Sequence, residues 1–479
     1  MQATAEHEVG DVDDQPSGFH SLNEELDVTL DVDGRLPAWL DGALVRNGPG
    51  SFELGGASVD HWFDGLAMLR RFGFGEDTVE YRNRFLRTTA YEEAQDGSYR
   101  GGFGTDGSMS VLERLGAMVR PPSPTDNTNI DIWPHGPEPV ATTETEHLTQ
   151  FDPETLETTG RSSYLGEPYG QHVTGHPQFD VERAETVGVS TNFGRTSEYR
   201  IWRQPTHSWS REQIAAIPVE RPAYLHSFAL TERYVVVVEF PLVVSPLSLL
   251  LPSNKPFIER FEWAPERGTR YHIVERDTGV VHDPLVGAPC FCFHHVNAFE
   301  EGSELVLDML TFTDSGPISE LYFDASTEMS EMSMDAGRLS RATLTPETGA
   351  VEMETTHAGH LGLPRVSPEV TQQAYRFVYA QAQPGGTIEG LPTQLAKVDA
   401  ETGEELLYDP GGVTSEPVFV PRPAGSAEDD GVVLAVALDR ARGHSVLHVI
   451  DAETMTELAT VTLPHALPLD FHGQYLPSA

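Results

Sequence analysis

From Leu26 onward, apolar residues come in short runs, many alternating with polar ones, and Gly, Pro, Asn or Asp interrupts them every 8 to 15 residues. A period of two in short segments bounded by turn formers predicts antiparallel β-strands. Amphipathic helices are scarce. The clearest candidate, Ser108–Val119, would place Val111, Leu115 and Met118 on one face. A degenerate turn recurs between apolar runs: FDPETLETT from Phe151, VERDTGVV from Val274, LTPETGAVE from Leu344, VDAETGEEL from Val398 and IDAETMTEL from Ile450. Asp together with Thr-Gly makes the side-chain-capped tight turn that a hairpin needs. The last three copies fall about 50 residues apart, close to the length of a four-stranded propeller blade. The expected fold is therefore all-β, a β-propeller with insertions; a sandwich leaves a turn recurring at blade length unexplained.

Two stretches depart from simple alternation. Cys290–Met309 reads CFCFHHVNAFEEGSELVLDM, which predicts a strand ending at His294 and His295, a turn through Glu300, Glu301 and Gly302, and a second strand, Glu304–Leu310. After His226, YVVVVEF reads as a fully buried strand, and the apolar residues from Val243 to Leu251 are expected in a loop because proline bars that segment from a central strand. Glu239, Pro241 and Pro246 interrupt Tyr234–Leu251, so a membrane-spanning helix is excluded there. The loop reading leaves two uses for Val243, Val244, Leu247, Leu249, Leu250 and Leu251: folding under the body, or dipping into a membrane or lipid surface.

Composition changes the picture at one point. The chain has 479 residues with 74 acidic against 31 basic, a formal charge of -43, and Lys255 and Lys397 are its two lysines. An acid excess spread along the whole chain suggests a protein that works in molar salt, where self-repulsion is screened. It also excludes nucleic acid as a partner, since phosphate would be repelled. Residues 1–17 read as an acidic tail without the basic and apolar segments of a signal peptide, which suggests cytoplasmic synthesis without export. Residues 18–479 are expected to form a single propeller domain. Cys290 and Cys292, the two cysteines, share a strand face and read as a reduced, packed pair.

Candidate chemistry rests on histidines. His176 in TGHPQFD, His226 in LHSFAL, His294 in FHHVN and His472 in DFHGQY each adjoin a strand signal. Any one alone reads as a hydrogen-bonded core residue. If all four converge on a propeller axis, four neutral imidazoles leave a divalent ion its full charge and an octahedral ion two open positions, which suits iron(II) better than zinc. The intervals of 50, 68 and 178 residues match no compact metal motif. A ligating imidazole hands its second N–H to a carboxylate, which makes Glu144 and Glu416 of interest, although each also reads as a solvated surface acid. GFGTDG at Gly102–Gly107 fits a dinucleotide pattern but follows no apolar strand, and no GxSxG elbow is present.

LVRNGPGSFELG, HWFDGLAML, TDNTNIDIWPHG, ATTETE, TGHPQFD, LHSFALTERYVVVVEFPL, FHHVNAFEEG, SEPVFVPRP and DFHG together resemble the carotenoid cleavage oxygenases from about Leu26 to Tyr475. The likeness leans toward the branch that holds β-carotene 15,15'-dioxygenase and the retinal pigment epithelium isomerohydrolase. This resemblance implies a seven-bladed β-propeller with a helical and loop cap, including insertions at 105–125 and 241–262, over an axial iron(II). It places the four ligands on His176, His226, His294 and His472, second-layer glutamates on Glu144 and Glu416, and a small residue beside an open iron position at Thr143. It also puts Phe103 and Phe63 on the walls of an apolar substrate tunnel. Where the family carries a third glutamate, HLGLPRV has Gly362, so His294 is expected to lack a carboxylate partner. RPPSP at Arg120–Pro124 replaces a cysteine-containing loop of animal members. The implied activity is iron-dependent cleavage of a carotenoid by dioxygen to aldehydes, with β-carotene split at 15,15' to retinal, by a cytoplasmic enzyme in peripheral contact with a membrane. The alternatives are eccentric or apocarotenoid cleavage, non-oxidative isomerisation of a retinoid ester, and a propeller that only binds a carotenoid.

Overall fold

The computed structural model describes residues 18–478 apart from 55–56, 100, 106–123, 164–169, 251–254, 323–335 and 384–389. The helix expected at Ser108–Val119, the RPPSP segment up to residue 123, the acidic tail and Leu251 lie outside the described residues, and of Leu250 only the backbone is described.

Strands dominate and assemble into a seven-bladed β-propeller. Five blades are separate sheets, and two share one seven-stranded sheet. The shared sheet arises because Ala350–Arg365 is long enough to serve twice. Its first part pairs with Gly337–Thr345 as the outer strand of the fifth blade, and Leu361, Gly362 and Arg365 then pair with Phe377–Ala382 to open the sixth. The ring is closed by both ends of the chain. Asp33–Gly34 joins the outer edge of the seventh blade beside Thr456–Thr462, while Gly473–Leu476 pairs with Ala43–Ser51 in the first.

The recurring turn connects neighbouring strands, as its composition predicts. Asp152 Oδ1 accepts from the N–H groups of Glu154 and Thr155 (2.9 and 2.8 Å), and Asp399 Oδ1 does the same for Glu401 and Thr402 (3.0 and 3.1 Å). The sixth residue of each copy has positive φ: Leu156, Gly279, Gly349, Gly403 and Met455. Glycine occupies this left-handed position in three copies because it has no Cβ to clash.

Two expectations change. His294 and His295 lie inside the strand Phe291–Glu301, not at its end, and the pairing with Glu304–Phe312 shifts register on both sides of His295. Such a bulge lets a long strand continue while turning one side chain out of the alternation. The segment from Val243 is also not a plain loop. Leu242–Val243 pairs with Glu262–Trp263, and Pro246–Leu250 is a short helix. Val243 and Val244 are fully buried, which removes them from any membrane-contact surface, because Val243 is paired with Glu262 and bridged to Ala223 while Val244 N–H is tied to the Pro222 carbonyl. Leu247, 69 % exposed, remains available.

Candidate metal centre

At one end of each of the seven blades, the inner strand carries or adjoins a residue of a single axial cluster. His472 precedes the inner strand of the first blade, Asp131 that of the second, and His176 follows that of the third. His226 precedes the inner strand of the fourth, His294 lies in that of the fifth, Arg365 ends that of the sixth, and Glu416 stands between the inner segments of the seventh.

The four histidines meet there. Their ligand-capable nitrogens all lie within 4.8 Å of one another. His226 Nε2 is 3.1 Å from His176 Nε2 and 3.3 Å from His294 Nε2. Tautomers follow from the outer partners. His226 Nδ1 is 2.6 Å from Glu144 Oε1, and His472 Nδ1 is 2.8 Å from Glu416 Oε1. Burial opposes ionisation of Glu144, yet the imidazoles of His172 and His226 override it and hold the carboxyl at about 2. Burial likewise opposes ionisation of Glu416, and Arg365, His472 and Arg46 override it, again to about 2. Ionised carboxylates only accept, so both Nδ1 atoms donate and the Nε2 atoms are left to face the site. Burial, reinforced by the neighbouring imidazoles, pushes His176 and His294 well below the ordinary histidine range, so these two stay neutral. Imidazole nitrogens about 3 Å apart and facing one another suit a shared cation, and the donor set fits one divalent ion.

The outer partners are unequal. Glu144 also accepts from the Tyr224 hydroxyl at 2.7 Å, with His172 Nε2 3.6 Å away. Asp131 Oδ2 is 3.6 Å from His176 Nδ1, an ion-pair distance and not a hydrogen bond. Among the described residues no carboxylate pairs with His294. Gly362, in the adjoining blade, has Gln381 packed over it: a Cβ there would come within 2.9 Å of Gln381 Oε1. Gln381 in turn donates its amide to Thr414 O. Thr143 is buried, one residue before Glu144.

Beside His226, His294 and His472 is a cavity of about 90 Å³ with apolar walls that include Phe63, Phe293, Phe312, Leu361 and Phe471. Phe103 stands one ring behind, 5.1 Å from Phe63 and 5.7 Å from Tyr224 between centroids. A buried carboxylate fixes that ring's backbone. Asp64 accepts from the N–H groups of Gly102, Phe103, Gly104 and Thr105 at 2.6 to 2.8 Å. Sequence reasoning singled out neither Asp64, Asp131, His172, Tyr224 nor Arg365. Asp64, Asp131 and Arg365 stand inside quoted stretches (HWFDG, TDNTNIDIWPHG, HLGLPRV), but no local spacing marks them as parts of one site.

Fold and site together define a β-propeller with an axial all-histidine site able to hold a metal beside an apolar cavity. The chain belongs to the family described as Retinal pigment epithelial membrane protein, whose match covers residues 19–477. It is 32% identical to the carotenoid isomerooxygenase of Galleria mellonella over 96% of both chains. It is 30% identical to the apocarotenoid-15,15'-oxygenase of Synechocystis sp. over 96% of this chain and 95% of that protein. Among solved structures, cobalt-substituted Synechocystis ACO superposes with a TM-score of 0.85 at 29% identity, covering 96% of this chain and 98% of that one.

Proposed function

We propose that this protein is an iron(II)-dependent dioxygenase that splits a carotenoid double bond into two aldehydes, with the 15,15' bond of β-carotene as its target and retinal as its product. The observation that carries the reading is the convergence of four imidazoles at the wall of an apolar cavity. The relatives' names point the same way. They include carotenoid-cleaving enzymes and the β,β-carotene 15,15'-dioxygenase of Gallus gallus, 28% identical over 94% of this chain.

His176, His226, His294 and His472 would hold the iron, and Glu144 and Glu416 fix two of the rings by accepting hydrogen bonds from their Nδ1–H groups. Iron(II) in that site supplies the activation of dioxygen. The rest of the work is positioning. Phe63, Phe293 and Phe471 exclude water and give a polyene flat apolar walls, so the double bond next to the metal is selected by how far the substrate slides in. Thr143, buried beside Glu144, offers no charge to compete with an apolar substrate. A membrane-dissolved substrate also needs an entrance. No helix among the described residues is long and apolar enough to cross a membrane. The short helix Pro246–Leu250, with Leu247 exposed, would instead rest on a bilayer surface.

The test is an anaerobic preparation loaded with iron(II), given β-carotene in detergent and molar salt and then air, with products identified by mass. Two retinal molecules per carotenoid support the reading; apocarotenals of unequal length move the cleaved bond; unchanged β-carotene with iron bound overturns this substrate and directs attention to apocarotenoids or retinoid esters. Replacing Leu247 and Leu249 by Asp should lower co-sedimentation with liposomes at least several-fold without changing turnover in detergent. Equal co-sedimentation would remove the helix from the entrance.

A further inference from the structure

Six blades bring a histidine or a carboxylate to the axis, while the sixth brings a cation, Arg365. Its delivery is specific. The strand Ala350–Arg365 shifts register between Gly362 and Arg365 as it crosses into the sixth blade, and Leu363 within that shift has a φ of 43, which a branched residue rarely adopts. A bulge of this kind re-aims the side chain that follows it.

Arg365 uses its fork on the last ligand. Nε donates to Glu416 Oε1 at 2.8 Å, Nη2 to Glu416 Oε2 at 3.1 Å, and Nη2 also to the carbonyl of Gly473, the residue after His472, at 2.9 Å. Gly473 N donates to Glu416 Oε2 at 3.0 Å, and Arg46, held by Asp470 at 2.6 and 2.9 Å, reaches the same oxygen at 3.5 Å. Arg365 therefore grips both sides of His472: the carboxylate that accepts from its Nδ1–H and the peptide that follows it. Among the described residues nothing comparable supports Glu144, whose other neighbours are Tyr224 and His172. His472 itself stands just before the strand Gly473–Leu476, which pairs with Ala43–Ser51, so the peptide that Arg365 holds leads directly into the first blade.

We infer that Arg365 is a positioning residue of the metal centre, holding His472 in place through Glu416 and Gly473. The inference rests on the four histidines being the metal ligands. Two roles for the guanidinium predict opposite signs. As a bare positive charge it repels a dication, so its removal would tighten metal binding. As a clamp it pre-organises a ligand, so its removal would weaken binding. Glu416, at 2.8 Å, cancels most of the charge at longer range, and the clamp should win.

The test is cobalt(II) binding to the metal-free full-length protein, measured by chelator competition and by the visible ligand-field spectrum, with thermal unfolding of the metal-free form in parallel. Arg365→Gln should weaken cobalt binding about 10- to 100-fold and alter the spectrum, while the metal-free protein unfolds near the wild-type temperature. Arg365→Lys should recover only part, because an ammonium cannot bridge both carboxylate oxygens and a carbonyl in a plane. Unchanged or tighter cobalt binding in Arg365→Gln overturns the inference. So does metal-free protein that loses as much stability as the loaded form, since Arg365 would then brace the fold. Should Arg365→Gln not fold, Arg365→Lys decides alone: wild-type affinity and spectrum overturn the clamp. Wild-type protein that retains no cobalt would instead overturn the four-histidine reading itself.

Discussion

At the scale of single residues, the centre is built from pairs in which a carboxylate sets an imidazole's proton. Glu144 shows the logic most fully: it is buried, ionised, and engaged by His226 at 2.6 Å and Tyr224 at 2.7 Å. Glu144→Gln keeps a carbonyl that can accept from His226 but loses the charge that strengthens the bond. Metal affinity should fall about 10-fold, the lower end of what second-layer changes cost. Chelator competition on purified protein checks this, and unchanged affinity would show that Tyr224 and packing alone orient His226. Residue by residue, the sequence was uneven. The four histidines were legible only through their resemblance to a family, because intervals of 50, 68 and 178 residues each carry the chain through at least a whole blade between one ligand and the next. That Gly362 stands where the family carries a third glutamate could be read from HLGLPRV. That Gln381 occupies the space could not, since strand pairing between the two is a tertiary fact.

Elements convert those residues into geometry. The bulge at His294 turns one ring out of a buried strand, and the shift before Arg365 does the same in the next blade. Neither was visible in the alternating pattern, which ends the strand of CFCFHH at His294 and His295. The hairpins were visible, because Asp152, Asp399 and Asp451 cap their own turns and need nothing distant to do so. The loop that carries Phe103 lies between these cases. Its four consecutive N–H groups converge on Asp64, two on each oxygen. Asp64→Asn would set an amide N–H₂ against two of those donors, losing two charge-assisted bonds at roughly 1.5–3 kcal/mol each. A loss of about 3 kcal/mol is expected in urea unfolding at fixed molar salt, together with looser packing of Phe103 on Phe63. If the unfolding midpoint does not move, the loop is held by other contacts.

On the scale of the whole molecule, charge and burial pull stability in opposite directions as conditions change, and they can be separated. A net charge of -43 opposes a compact state in dilute buffer, where the Debye length is about 10 Å at 0.1 M, and does so far less near 1 M, where it is about 3 Å. The urea midpoint at neutral pH should therefore rise steadily with sodium chloride into the molar range. A flat dependence would mean that the acid excess is not an adaptation to salt. Once salt has screened the surface, buried histidines should dominate the acid side. Burial pushes His61, His135 and His465 down to about 4 from an ordinary 6.5. Between those values the unfolded chain binds protons that the native protein refuses, so stability, fully present above about 6.5, must fall as pH drops toward 4. Glu144 and Glu416 extend the loss below their ordinary 4.5, toward about 2, because both must be ionised in the native site. Unfolding midpoints in molar salt should then decline from about pH 6.5 downward; in dilute buffer the same acidification relieves acidic self-repulsion and the decline should be shallower. Equal slopes at both salt concentrations would show that surface charge contributes little to folding and that the buried histidines alone set the acid limit.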